Sequence, residues 1–317
     1  MYTPSPMFAP KSPHTAGLVY EGTTNYWTFT VSDYVNVPAG SAVPASQVDL
    51  NSPGFHVKVT QATAARSGGN TVAAAEAQLA GNPASVAIAG PEPDGAYIDP
   101  DVINWNVTMN PGGTPAQIGN FQTLMTGVAD EPVPGIPGTG LTGNPRFENI
   151  TAEICAYLDL PAGYQKFAVN GDDGWKVQIG TPGQTNGTVL FSRDRGAGAR
   201  DVPFAFVTPE AGLYPIRLLW YQGGGGGNVE FFTYGPNNSK ILVNDRTNPN
   251  AVKAYARAAV NPTVSIKLLA DGRVQVLFEG KLQQSPVIAP ANWQEVTTAS
   301  PYEFVPTGAE MYFRATR

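Results

Sequence analysis

Hydrophobic and polar positions alternate with a period of two along most of the chain. In Tyr26-Trp27-Thr28-Phe29-Thr30-Val31, one face carries Trp27, Phe29 and Val31 and the other carries Tyr26, Thr28 and Thr30. Leu18-Val19-Tyr20 precedes this run across Glu21-Gly22-Thr23-Thr24, so the two predict a strand pair. Phe55, Val57 and Val59 alternate in the same way over Gly54–Gln61. Further strands are predicted around 103–107, 154–160, 164–169, 175–179, 189–192, 202–207, 214–221, 229–234 and 240–243. Turn signals separate them, among them Pro161-Ala162-Gly163, Gly171-Asp172-Asp173-Gly174 and Pro209-Glu210-Ala211-Gly212. One segment breaks the pattern. Thr71 to Gly81 reads as a short helix with Thr71 as N-cap and Gly81 just past its end. A helix this short depends on packing rather than propensity.

A second unit starts near Pro262. Val264 to Leu269 and Val274 to Phe278 flank Asp271-Gly272, a hairpin signal, and strands follow at 282–288, 293–297, 302–305 and 311–314. The expected fold is all-β. A β-sandwich with one short helix spans 54–255, and a small antiparallel β module spans 262–317. Residues 1–53 are expected to be an N-terminal arm and strand pair. Their stretches 1–17 and 37–53 are rich in small residues and proline and read as linkers.

Composition narrows the function classes. Charged residues are 14% of the 317, where ordinary domains carry about 25%. Aromatic residues are 10%, too many for a disordered chain. The net charge is −6, and no clustered Lys/Arg face is visible, which argues against nucleic acid as a partner. No apolar stretch reaches the ~18 residues of a membrane span. Residues 1–17 show no apolar signal-peptide core. The expectation is therefore that a leader has been removed or that the chain is an excerpt of a longer one. A single cysteine, Cys155, rules out an intrachain disulfide framework, and two histidines, His14 and His56, leave no His-rich zinc site.

No catalytic constellation stands out, so the expectation is a non-enzyme. Gly223 to Gly227 is followed by Asn228-Val229 and not by Lys-Ser/Thr, so it reads as an inter-strand loop rather than a phosphate cradle. Sequons begin at Asn106, Asn149, Asn186 and Asn237, and in a chain rich in Asn and Thr they carry little. The informative segment is Phe167 to Ile179, with Asp172 and Asp173 adjacent at a glycine-bounded turn. Adjacent side chains on a strand point to opposite faces. Both aspartates could serve one ion only if the backbone between them bends or their peptide is cis. The alternatives are a hard-cation site, which needs 6–8 oxygens for Ca²⁺, and a plain solvated turn. Trp175 beside them could stack on a sugar, although its parity with Val177 and Ile179 places it in the core. Arg193-Asp194-Arg195 and Arg200-Asp201 read as mutual surface ion pairs rather than a ligand clamp, and Asp99 with Asp101 is a fallback pair of oxygen ligands.

Residues from about 54 to 250 resemble the protective-antigen-type, lectin-like PA14 domain family. The likeness rests on Gly54 to Val59, on Phe167 to Ile179 with Asp172-Asp173, and on Ala211-Gly212-Leu213-Tyr214-Pro215-Ile216-Arg217-Leu218-Leu219-Trp220-Tyr221. The resemblance implies a calcium ion held by Asp172 and Asp173 across a cis peptide, with a glycan bound through that ion. By position after Tyr221 it implies Gln222, in the family's Asn place, and the carbonyls of Gly224 and Gly226 as further ligands. Residues 273–314 resemble small C-terminal repeat modules of bacterial surface proteins, and the Tyr26–Val31 strand looks like the last strand of a preceding immunoglobulin-like module. The first functional expectation is an extracellular or cell-surface carbohydrate-binding adhesion module. A second is a self-assembling surface subunit using the Trp27, Phe29 and Val31 stripe, and a third is an accessory domain of a glycosidase.

Overall fold

The computed structural model describes residues 8–62, 68–82, 85–87, 90–107, 119–122, 128–136, 148–259, 262–297, 299–308 and 310–316. Residues 1–7 of the expected arm lie outside them. The chain forms two units: Met1–Pro44 with Asn51–Arg257, and Ala45–Leu50 with Ala258–Arg317.

The first unit begins with β1 (Pro13–Tyr20), β2 (Thr23–Thr30), β3 (Val35–Asn36), β4 (Phe55–Ala62), helix α1 (Val72–Leu79), β5 (Ser85–Ala87), β6 (Tyr97–Asp99) and β7 (Asn104–Asn106). It continues with β8 (Ile150–Leu160), β9 (Gly163–Asp172), β10 (Gly174–Ile179), β11 (Val189–Arg193) and β12 (Asp201–Thr208). The last are β13 (Gly212–Gln222), β14 (Asn228–Tyr234), β15 (Lys240–Leu242) and β16 (Ala254–Tyr255). Two sheets make the sandwich. One runs β11-β10-β13-β8-β4-β5, with β16 beside β8 and β6 beside β4; the other runs β15-β14-β9-β12-β3, with β7 beside β14.

Strand parity explains the core. Phe167, Val169, Val229 and Phe231 point inward from the second sheet and meet Trp175, Val177, Leu218 and Trp220 from the first. Phe167 stacks on Phe204, Phe206 and Phe231 with ring centroids 5.3–6.1 Å apart. The near-continuous apolar run of β13 has a different cause: both of its faces are covered. Leu218 and Trp220 enter the main core, while Leu219 and Tyr221 pack on the other side with Ala75 of α1. The helix has the expected ends. The Thr71 hydroxyl accepts from the Ala74 amide at 3.2 Å, and Gly81 follows the C-cap with φ +90°. Among the described residues no helix is long and apolar enough to cross a membrane.

Three expectations about the first 53 residues change. Residues 13–17 belong to β1, so the strand pair is longer than the pattern shows. Its loop is the two-residue turn Glu21-Gly22, both at positive φ, rather than Glu21 to Thr24. The stretch 37–53 is tied into structure: the Val37 amide donates to Val207 O, and Val43 bridges Leu213. Its small residues fit close backbone approach, which composition alone cannot tell from a linker.

The second unit carries β17 (Val264–Leu268), β18 (Val274–Phe278), β19 (Lys281–Ser285), β20 (Gln294–Thr297), β21 (Tyr302–Phe304) and β22 (Tyr312–Thr316). They form two antiparallel three-stranded sheets, β17-β18-β21 and β20-β19-β22, around Val276, Phe278 and Leu282.

Candidate functional site

Two crossings between the sheets lie side by side at one end of the sandwich. The chain passes from β9 to β10 through Asp172-Asp173-Gly174, and from β13 to β14 through Gly223 to Gly227. Register brings them together, because Asp172 pairs with Asn228 and Gly174 with Tyr221. The Asp173 amide donates to Tyr221 O at 3.2 Å, and Trp220 Nε1 donates to Asp172 O at 2.9 Å. The Asp172-Asp173 peptide is cis.

The two carboxylates have different surroundings. Asp173 is buried and accepts from three separate segments. Its Oδ2 takes the Gly223 amide at 2.7 Å and Asn70 Nδ2 at 2.8 Å, and its Oδ1 takes the Ala197 amide at 3.0 Å. Asp172 is half-buried. Burial first, and then the neighbouring Asp173 carboxylate, push it up to about 6, against the pull of Arg193 and of a hydrogen bond from the Ala199 backbone.

The glycine loop turns its carbonyls toward a side chain. Gln222 is fully buried, and its Nε2 donates to Gly224 O at 2.9 Å and Gly226 O at 2.6 Å. These are the two carbonyls that the resemblance assigns to calcium. A Cβ at position 223 would lie 2.0 Å from Asn70 Nδ2, so any larger residue there would displace the Asn70 side chain. Residues 224–226 are exposed.

The donor chemistry can be tested against a cation. Among the described residues no three His, Cys, Asp or Glu side chains gather as a metal-ligand cluster. An ion here would therefore depend on amide and carbonyl oxygens besides the two carboxylates. Asp172, Asp173, Gly224, Gly226 and Gln222 offer oxygen donors, with no sulfur or imidazole in the set, which fits a hard cation. The Gln222 N–H groups now fill the two carbonyls, so that side chain would have to present its Oε1 instead.

Three sequence-based assignments are corrected. Trp175 faces inward, is fully buried and packs against Phe191 and Phe204, so it cannot stack on an external sugar. Its parity with Val177 and Ile179 is the reason. Arg193 is not a surface ion-pair partner: it is buried, and its Nη1 and Nη2 donate to Gly171 O at 2.6 Å and Gly198 O at 2.8 Å. Asp194 accepts the Val72 amide at 2.6 Å at the start of α1, and Asp201 pairs with Lys240. The fallback ligand Asp99 accepts from Trp105 Nε1 and the Asp101 amide, and the Asp101 carboxylate pairs with Arg246. Those partners account for both aspartates without an ion.

Sequence reasoning missed Asn70, which reaches Asp173 from the segment before α1, and Glu148, whose carboxyl group lies against Gly224. The one available signal for Asn70 was its place just before the N-cap Thr71.

No family model and no curated protein match the chain. Among solved structures it is similar to the PA14 sugar-binding domain from an RTX adhesin, at 18% identity over 64% of this chain and 98% of that one, with a TM-score of 0.40. It is similar to the PA14 domain of the antifreeze protein MpAFP, at 14% identity over 64% and 91%, with a TM-score of 0.38. It is also similar to the epithelial adhesin 9 A domain of Candida glabrata in complex with Galb1-4GlcNAc, at 18% identity over 68% and 99%, with a TM-score of 0.37.

Proposed function

We propose that the chain is a non-enzymatic, extracellular or cell-surface carbohydrate-binding module for adhesion, which holds calcium through Asp172 and Asp173. One observation carries this reading. Two adjacent carboxylates, Asp172 and Asp173, lie at a sheet crossing beside an exposed glycine loop whose Gly223 amide donates to Asp173 Oδ2. Calcium prefers neutral and anionic oxygens and leaves coordination positions open for hydroxyl oxygens of a sugar. Asp172 would supply charge that burial leaves poorly compensated. Asp173 ties Asn70, the 193–199 segment and the glycine loop into one frame. Gln222 sets the course of that loop. The expected behaviour toward a model glycoside is binding without turnover.

Thermal denaturation with calcium or with a chelator tests the ion, and a glycan array in the same two conditions tests the sugar. A calcium-bound native state should melt about 5 °C or more higher at a hundredfold excess of ion over Kd. Asp172→Asn and Asp173→Asn should lose that increase and the glycan signal. No shift in the wild type, or an equal shift in both variants, would overturn the reading.

A second reading, a self-associating surface subunit, is favoured by the β1–β2 hairpin. Tyr26 is 74% and Trp27 51% exposed, and among the described residues no third strand joins this sheet. Trp27 and Phe29 share a face with Ala16 and His14, while Val31 continues the pair beyond β2 by donating to Ser12 O. Exposed aromatic surface of this kind favours association. Concentration-dependent particle mass tests it.

A further inference from the structure

Away from the paired aspartates, a second polar cluster sits on the other face of the six-stranded sheet. Glu230 of β14, Asn170 of β9 and Asp201 of β12 are neighbours in register across three strands. Lys240, the first residue of β15, joins them, and Asn120 covers them from the segment 119–122. Phe121, Phe232, Ala168 and Leu242 form the apolar wall, with Phe121 edge-on to Phe232 at 5.6 Å and Lys240 Nζ 5.7 Å from the Phe232 ring centroid.

The geometry at Asn120 is specific. Its Oδ1 lies 2.5 Å from Lys240 Nζ. Its Nδ2 donates to Asp201 Oδ1 at 2.6 Å and to Glu230 Oε2 at 2.9 Å. Lysine can only donate and carboxylates accept, so the amide cannot be turned the other way without losing all three contacts. The backbone locks the arrangement: Glu230 Oε1 accepts the Asn120 amide at 2.6 Å and the Phe121 amide at 3.0 Å. Gly119 makes this possible with φ +97°, and a Cβ there would sit 2.1 Å from Glu230 Oε1. Lys240 also contacts Asp201 directly.

We propose that Lys240 and Asn120 condense into a covalent amide cross-link within the chain. The bond formed is Nζ–Cγ and the bond broken is Cγ–Nδ2. Nothing is oxidised or reduced, and no co-reactant is needed. Two protons leave the lysine ammonium and two join the departing nitrogen, which leaves as ammonium. One passes by way of Asp201, which already contacts Nζ. The other is given to the departing nitrogen by Glu230, which already contacts Nδ2 and is reprotonated from Nζ once attack has joined both nitrogens to Cγ, so both carboxyl groups end as they began. Burial, with a further push from Asp201, raises Glu230 to about 7, against the hydrogen bonds of Phe121 and Asn120. Near neutrality it therefore carries a proton part of the time and can give it to the leaving nitrogen. An ion pair between Lys240 and Asp201 would need neither Asn120 nor a second, fully buried carboxylate on the same amide nitrogen. The cross-link would bind the 119–122 segment to β15 and hold the outer face of the sheet against unfolding and proteolysis.

The intact mass of the full folded chain tests this. The expected value is lower than the sequence mass by about 17 Da, one ammonia, with a branched peptide joining residues 120 and 240 after digestion. Lys240→Arg and Asn120→Ala should restore the full mass while circular dichroism shows the fold retained. Asn120→Asp should cross-link with loss of water, about 18 Da, and Glu230→Gln should slow the reaction at least tenfold. A wild-type chain that is folded yet keeps its full mass after prolonged incubation at neutral pH overturns the proposal. So does a deficit that persists in Lys240→Arg, which would mark succinimide formation at an asparagine instead.

Discussion

Arg217 and Glu76 meet as a fork on a fork, with Nη1 to Oε1 and Nη2 to Oε2 each at 2.7 Å. Arg217 is 1% exposed in mid-β13, and its Nε donates to Glu153 at 2.5 Å. Lys176 adds a bond to Glu76 at 2.8 Å. Burial alone would lower the arginine pKa, yet the bonds from Glu76 and Glu153 hold it above its ordinary value. This network pins the eight-residue helix α1 to the sheet and so fixes the segment that carries Asn70 to Asp173. Arg217→Leu would leave Glu76 and Glu153 without this cation. The expected cost is ~3–5 kcal/mol, or about 10 °C in Tm, measured by thermal unfolding.

Gly223→Ala tests the frame around Asp173 without touching a carboxylate. The new methyl group would press on Asn70 Nδ2. The expected outcome is a loss of ~1–3 kcal/mol and a calcium-induced melting shift reduced by half or more. A full shift in this variant would separate Asn70 from ion binding.

Glu131 gives a pH signature. Burial, then Asp99 and Asp101, raise it to about 7 from an ordinary 4.5. The folded protein therefore binds more protons than the unfolded chain between those values, and stability falls as pH rises through that window. Glu131→Gln should remove that fall. The carboxyl is half exposed, so solvent screening reduces the effect to ~1 kcal/mol, about 2–4 °C in Tm. It would appear at pH 8 and vanish near pH 4, in melting curves taken across the range.

The hairpin residues should behave oppositely to the core. Replacing Tyr26 and Trp27 together by Thr should change stability by no more than ~0.5 kcal/mol, because both are largely exposed. If the hairpin mediates self-association, light scattering should show a lower particle mass for this variant than for the wild type. Equal masses at every concentration would discard the self-assembly reading.

Much of this was determined by the sequence itself. The alternation in Phe167-Ala168-Val169, the cap at Thr71 with Gly81 beyond, and the Asp172-Asp173-Gly174 turn all express covalent geometry within a few residues. The same local rule placed Trp175 in the core despite its position beside the aspartates. What a residue meets across the fold has no such local signature. Asn70 and Asp173 are 103 positions apart, and Lys240 and Asn120 are 120 apart. Arg193 reads as a surface charge because its neighbours in sequence are charged, yet its partners are the carbonyls of Gly171, on another strand, and of Gly198, in the loop that folds back on it. Pattern tells a strand which face to bury, since side chains alternate at every step. Only the choice of neighbouring strands, fixed by joint burial of both sheets, decides which loops converge and which polar groups share an end of the sandwich.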